Sequence, residues 1–170
     1  MVEKKEQLCV ASTKTSEVHE DCSAELCMRE VKKQLCGGTT EAAAGCALCP
    51  SNWLLYGDNC YYYSHDTRRT WDQSREQCEM MGGHLLVIED QGQQAFIHRT
   101  VTQQAGDKFW IGLHHEGDGW RWVNGRRYNR SLFQLKVISG NCVLVQNSGY
   151  YSENCNDTHT FICQRKAVKI

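Results

Sequence analysis

Eleven cysteines in 170 residues restrict this chain more than any other feature. A reducing compartment leaves so many thiols in place only where a metal holds them, so disulfides or zinc must account for them. Cys46-Ala47-Leu48-Cys49 supplies half of a zinc-ribbon pattern, but no second Cys-x-x-Cys and no His-x-x-x-His completes the four ligands. As a redox pair it fails too, because no βαβ pattern surrounds it and Pro50 follows at once. Disulfides remain, and with them an oxidising compartment. The sequons Asn129-Arg130-Ser131 and Asn156-Asp157-Thr158 point to the same secretory route, with Asn129 and Asn156 as the glycosylation candidates.

Residues 1–10 are charged and lack the apolar block of a signal peptide, and no run reaches membrane-spanning length. A disulfide-rich chain without an export signal is expected to be the extracellular portion of a longer protein. Membrane attachment would then come through an anchor absent from this sequence. A net charge of -1 gives no global pull toward nucleic acid or a lipid surface, so electrostatic recognition must be local.

Residues 1–45 contain no Trp, Tyr or Phe and cannot supply much of a core. They read as a stalk, partly helical: Ala24, Met28, Val31 and Leu35 fall at heptad spacing, and Gly37-Gly38 stops the helix. From Cys46 the texture changes, with Trp53 and then Cys60-Tyr61-Tyr62-Tyr63, so residues 46–170 are expected to form the folded domain. Trp71, Ser74, Cys78 and Met81 share one side of a helix with Thr70 as its N-cap and Gly82-Gly83 as its stop. Phe96, Ile97 and Val101 mark a second helix within 89–103.

Phe109-Trp110-Ile111-Gly112-Leu113 has large apolar side chains at consecutive positions, which suits a strand buried on both faces. Gly112 permits another backbone to approach, and a glycine-rich turn leads to Trp120-Arg121-Trp122 and Asn124-Gly125, hairpin signals. Short strands follow at 142–145, 150–155 and 160–163. Two helices and then clustered strands make an α+β domain. The irregular residues 126–140 are too long for an ordinary connection and are a candidate recognition loop, with disorder as the competing reading.

Trp110-Ile111-Gly112-Leu113 ahead of Trp120-x-Trp122 resembles the core signature of C-type lectin-like domains. The entry Cys49-Pro50-x-x-Trp53 and the ending Tyr151-Ser152-Glu153-Asn154-Cys155 to Phe161-Ile162-Cys163-Gln164 resemble the natural killer cell receptor branch of that superfamily. The resemblance implies two helices, two small antiparallel sheets and a long loop, stapled by disulfides. Six domain cysteines admit fifteen pairings by count alone. The resemblance selects Cys49 with Cys60, Cys78 with Cys163, and Cys142 with Cys155. Cys9, Cys22, Cys27, Cys36 and Cys46 are left over, an odd number, so at least one bridge between chains is expected, most simply a homodimer through the stalk. In related receptors a cysteine placed like Cys46 pairs with one just before the next strand, where this chain has Leu54-Leu55-Tyr56.

Calcium-dependent lectins of this fold hold their ion with a loop triplet containing a cis-proline and with a Trp-Asn-Asp triplet. The sole proline here is Pro50, and Tyr150-Tyr151-Ser152 stands where the second triplet would be. Calcium chemistry agrees: from 117 to 154 the only carboxylates are Asp118 and Glu153, among Arg121, Arg126, Arg127, Arg130 and Lys136. No metal and no cofactor is expected. A basic, aromatic loop suits a protein partner, because Arg and Tyr are favoured hot-spot residues. The candidate contacts are Arg126, Arg127, Tyr128, Arg130, Phe133, Lys136, Tyr150, Tyr151 and Glu153.

The resemblance implies a type II receptor ectodomain at the plasma membrane, binding a protein of lectin-like or histocompatibility-like kind. The alternatives are a sugar-binding module with an unconventional site and a secreted lectin-like protein. Catalysis is not expected: His114-His115 are neighbours on a strand and point to opposite faces, and no residue sits in a nucleophile motif.

Overall fold

The computed structural model describes residues 46–104 and 107–170. The chain divides into two compact units. Ala47–Val168 is the larger, and Cys46, Lys169 and Ile170 are the described members of the other, where Cys46 and Ile170 exchange backbone hydrogen bonds of 3.2 and 2.9 Å. The heptad-spaced helix expected over 24–35, and Cys9, Cys22, Cys27 and Cys36, lie outside the described residues.

The elements are β1 (Ala47–Leu48), β2 (Leu54–Tyr56), β3 (Asn59–Tyr63), α1 (Trp71–Met80), β4 (His84–Leu85), α2 (Gln91–Thr102), β5 (Phe109–Glu116) and β6 (Gly119–Trp122), then β7 (Leu135–Val137), β8 (Cys142–Gln146), β9 (Gly149–Glu153), β10 (Thr160–Lys166) and β11 (Val168–Lys169). Both helices start where their caps dictate. The Thr70 hydroxyl accepts from the Gln73 N–H at 3.3 Å while the Gln73 side chain accepts from the Thr70 N–H at 3.2 Å, a capping box. Asp90 caps α2 by accepting from the Gln93 N–H at 2.7 Å.

Two antiparallel groups of strands, β2, β3 and β4 with β10, and β5 with β6 and β8 followed by β9, meet along a parallel seam between β5 and β10. A second parallel pairing puts β7 beside β9 at the outer edge. The β5 strand is buried on both faces, as its unbroken apolar run requires: Phe109, Ile111 and Leu113 enter one core with Ile97, Val143 and Ile162, while Trp110 enters another with Trp71, Leu144 and Phe161. Gly112 lies between Leu86 and Val123, donating its N–H to the Leu86 carbonyl at 2.8 Å and accepting from the Val123 N–H at 2.8 Å. A Cβ there would come within 2.8 Å of the Leu86 oxygen, so only glycine fits.

Disulfides join Cys49 to Cys60, Cys78 to Cys163 and Cys142 to Cys155, with Cα separations of 5.6, 5.3 and 5.1 Å. These are the pairings that the family resemblance implied. Cys46 is disulfide-bonded as well. With Cys49 also bonded, the Cys46-x-x-Cys49 pair offers no thiolates to zinc.

Candidate functional site

The irregular residues 126–140 fold onto β6 and β9 around an aromatic floor. After the turn at Asn124-Gly125 the chain doubles back, so that the Trp122 N–H donates to the Arg126 carbonyl at 2.9 Å and the Tyr128 N–H to the Trp120 carbonyl at 3.1 Å. The Tyr128 hydroxyl donates to the Phe133 carbonyl and accepts from the Leu135 N–H at 3.0 Å, which closes the loop on itself. Phe133 stacks on Tyr150 with ring centroids 3.8 Å apart, and Trp122 meets Phe133 edge-on at 6.1 Å.

This floor corrects two of the expected contacts. Phe133 and Tyr150 are 7% and 3% exposed and pack in the core, so they support residues 126–140 from beneath and present little surface to a partner. Burial pushes the Tyr150 phenol up to about 12, which keeps it neutral at physiological pH.

The remaining candidates separate into groups. Arg126 and Arg127 diverge: the Arg126 guanidinium lies 3.0 Å from Glu89, whereas Arg127 and Arg130 line a concavity with Trp120 and Tyr128. On the β7/β9 edge Lys136 stands opposite Tyr151, its ammonium 5.2 Å from the ring centroid and 3.4 Å from the hydroxyl. The Tyr151 phenol is drawn below its ordinary value, first by the Ser148 hydroxyl and then by Lys136. Val137 and Ile138 are 65% and 66% exposed beside this pair. Sequence reasoning missed both, although an adjacent Val-Ile in a polar loop was the available signal.

Glu153 is the third correction. It turns inward, accepting from the Lys108 ammonium at 2.7 Å and lying 2.9 Å from the His159 imidazole. Asp157 completes a group whose ligand atoms lie within 4.8 Å of one another, the only such group among the described residues. The Lys108 ammonium already sits against the carboxylate that a cation would need. Asp118 in turn lies 3.5 Å from Arg121 and 3.9 Å from Arg127.

Burial, partly opposed by Glu153, holds the His159 pKa below its ordinary 6.5. The unfolded chain therefore binds a proton that the folded one refuses. This contribution to stability is present above about pH 6.5 and is lost as pH falls through that value toward the folded pKa. Thermal melts from pH 7.5 down to about 5 should show a falling midpoint. His159→Gln should flatten that slope, and an unchanged slope would remove His159 from the account.

With this geometry in place, a family model described as Lectin C-type domain matches residues 67–165. The chain belongs to the C-type lectin domain family. The match spans the floor, the loop and the β7/β9 edge. This lectin domain is 33% identical over 126 residues to C-type lectin domain family 7 member A of Macaca mulatta, covering 69% of the chain and 51% of that relative. It is 32% identical over 122 residues to killer cell lectin-like receptor subfamily B member 1B allele C of Rattus norvegicus, covering 69% and 54%. The chain thus spans about half the length of the curated relatives it matches. Among solved structures it resembles the C-type lectin domain of murine dendritic cell inhibitory receptor 2 in complex with N-glycan, with a TM-score of 0.59 and 29% identity over 70% of this chain and 99% of that one.

Two other features of the lectin domain resolve as structure. His114 packs against Trp71 at 4.8 Å and His115 meets Trp120 edge-on at 5.1 Å, on opposite faces of β5. No helix among the described residues is long and apolar enough to cross a membrane.

Proposed function

We propose that this lectin domain is the extracellular head of a cell-surface receptor that recognises a protein ligand without calcium. The observation that carries the reading is the engagement of both carboxylates between 117 and 154 by the chain's own cations, Glu153 by Lys108, and Asp118 by Arg121 and Arg127. Calcium needs several free carboxylate oxygens, and each of these would first have to be pulled from a positive partner. Beside them, Val137 and Ile138 expose apolar surface next to Lys136 and Tyr151. That mixture of apolar, aromatic and cationic groups suits a protein partner of lectin-like or histocompatibility-like kind. The outer edge of β7, which among the described residues pairs only with β9, adds backbone groups to the same surface.

The odd count of eleven cysteines supports a disulfide-linked homodimer through the stalk, and relatedness to killer cell lectin-like receptors supports the plasma membrane as the location. Asn129 and Asn156, both exposed, are the proposed glycosylation sites.

The test is to present the chain as a tetramer to arrayed cell-surface proteins in EDTA. The reading expects a protein partner whose binding survives chelation. Val137→Asp with Ile138→Asp should then weaken it by about tenfold or more, since charge in a desolvated interface centre is poorly tolerated. Binding that requires calcium, or that the double variant leaves intact, would overturn this assignment of the surface.

A further inference from the structure

A cavity of about 610 Å³ opens between the glycines that follow α1, the end of β10 and the turn at Asn124-Gly125. It shares no residue with the Val137–Ile138 surface. We infer that this cavity binds an acidic segment of a protein partner.

The strand register builds its wall. Gln164 on β10 pairs with His84 on β4, and Lys166 on β10 pairs with Asn59 on β3. Residues two apart on a strand share a face, so Gln164 and Lys166 point the same way. Gln164 is 5% exposed, and its Oε1 accepts from the Val87 N–H at 3.0 Å. That bond fixes which end of the amide faces inward. The Nε2 group has no acceptor among the described residues and is not sealed from solvent, so it opens on the cavity as an oriented donor. Asn124 is turned in the same sense: its Oδ1 accepts from the Arg126 N–H at 3.1 Å, which leaves its NH2 group to a ligand.

Charge points the same way as the hydrogen bonds. Three cations, Arg126, Arg165 and Lys166, line the cavity against one carboxylate, Glu89, which Arg126 already engages at 3.0 Å. Arg165 gives one N–H to the Met81 carbonyl at 3.2 Å and keeps its other donors. Lys166 is exposed and meets no carboxylate among the described residues. A wall with donors and positive charge in excess is complemented by acceptors and negative charge, and a carboxylate supplies both. Size then separates a peptide from a free anion. A lone anion would leave most of the cavity to water, whereas several residues of chain fit in it, and their backbone carbonyls are further acceptors for the Gln164 and Asn124 amides.

This site is separate from the receptor reading. Its failure leaves the Val137–Ile138 surface untouched, and failure of that surface leaves the cavity untouched.

The probe is N-acetylated, C-amidated hexaglutamate, titrated into the isotopically labelled whole chain at low ionic strength, where screening is weak, and followed by NMR. Hexaglutamine and inorganic phosphate are the counterparts. Hexaglutamate should bind saturably and shift the Gln164 side-chain amide; hexaglutamine should not bind, and phosphate should shift that amide far less. Lys166→Gln should weaken hexaglutamate binding by about tenfold, the scale of a lost hydrogen bond to a charged group. Arg99→Gln removes the same charge from the exposed last turn of α2 and should change affinity less than about threefold, the scale of an exposed pair. Gln164→Glu keeps an acceptor for the Val87 N–H, replaces the Nε2 donor by an oxygen, and should abolish binding; Lys166→Gln tests the same wall without touching the interior. Equal losses for Lys166→Gln and Arg99→Gln would mean diffuse attraction and overturn the site. So would saturation without a shift at Gln164, a phosphate response as strong as that of hexaglutamate, or no binding of hexaglutamate.

Discussion

Replacing Cys78 and Cys163 together by alanine is expected to remove about 4–5 kcal/mol of stability, the chain-entropy value for their 85-residue separation. Domains of this size hold only about 5–15 kcal/mol in total, so the variant should be close to unfolding at body temperature. Both sulfurs are fully buried in the core that contains Trp71, Leu85 and Trp110, and the space left behind adds to the loss. The comparison that isolates the effect is Cys142→Ala with Cys155→Ala. That pair spans 13 residues, for which the same chain-entropy relation gives about 3 kcal/mol. Melting curves should rank the Cys78–Cys163 deletion as clearly worse. Equal shifts would show that closure of the long loop is not what this staple contributes.

Gly140→Ala is expected to be the most damaging single change near the proposed recognition surface. Gly140 has φ of +77°, where an L side chain costs about 1–2 kcal/mol. A Cβ there would also overlap the Glu153 carbonyl and lie 2.5 Å from the Asn154 nitrogen, backbone that cannot yield without moving the end of β9. Overpacking of that kind adds about 1–3 kcal/mol. Gly117 is the control: its φ is +59° and a Cβ there would meet nothing within 4 Å, so Gly117→Ala should show the backbone cost alone. Denaturant midpoints should separate the two, and amide exchange should rise over 135–139 in the Gly140 variant only. Equal midpoints would mean that the close approach at Gly140 is not maintained in solution.

The parts of this fold legible in the sequence were those written in local spacing. The first helix announces itself through apolar residues at helical intervals behind Thr70, the second through Phe96, Ile97 and Val101, and β5 through an apolar run with no polar face. Gly112 marks a close approach because glycine in a buried strand has few other uses. The disulfide pairing was not legible from spacing; it came from the family resemblance. What stayed hidden depends on contacts distant in sequence. The three-residue β7 exists because it pairs in parallel with β9, and Glu153 turns inward because Lys108, 45 residues earlier, meets it there. Phe133 and Tyr150 were misplaced because an aromatic residue in a loop or a short strand reads the same whether it faces solvent or the floor. The split between Arg126 and Arg127, and the opposition of Arg121 to Arg127, follow from the turn at Asn124-Gly125, whose direction the sequence does not record.

The most direct measurement is a calorimetric titration of calcium into the chain, carried past about 1 mM, the weak end of extracellular calcium modules. A recognition surface made of polypeptide, with Asp118 and Glu153 held by its own cations, predicts no saturable binding and no rise in melting temperature with calcium. Stoichiometric binding that Glu153→Gln or Asp118→Asn abolishes would contradict it.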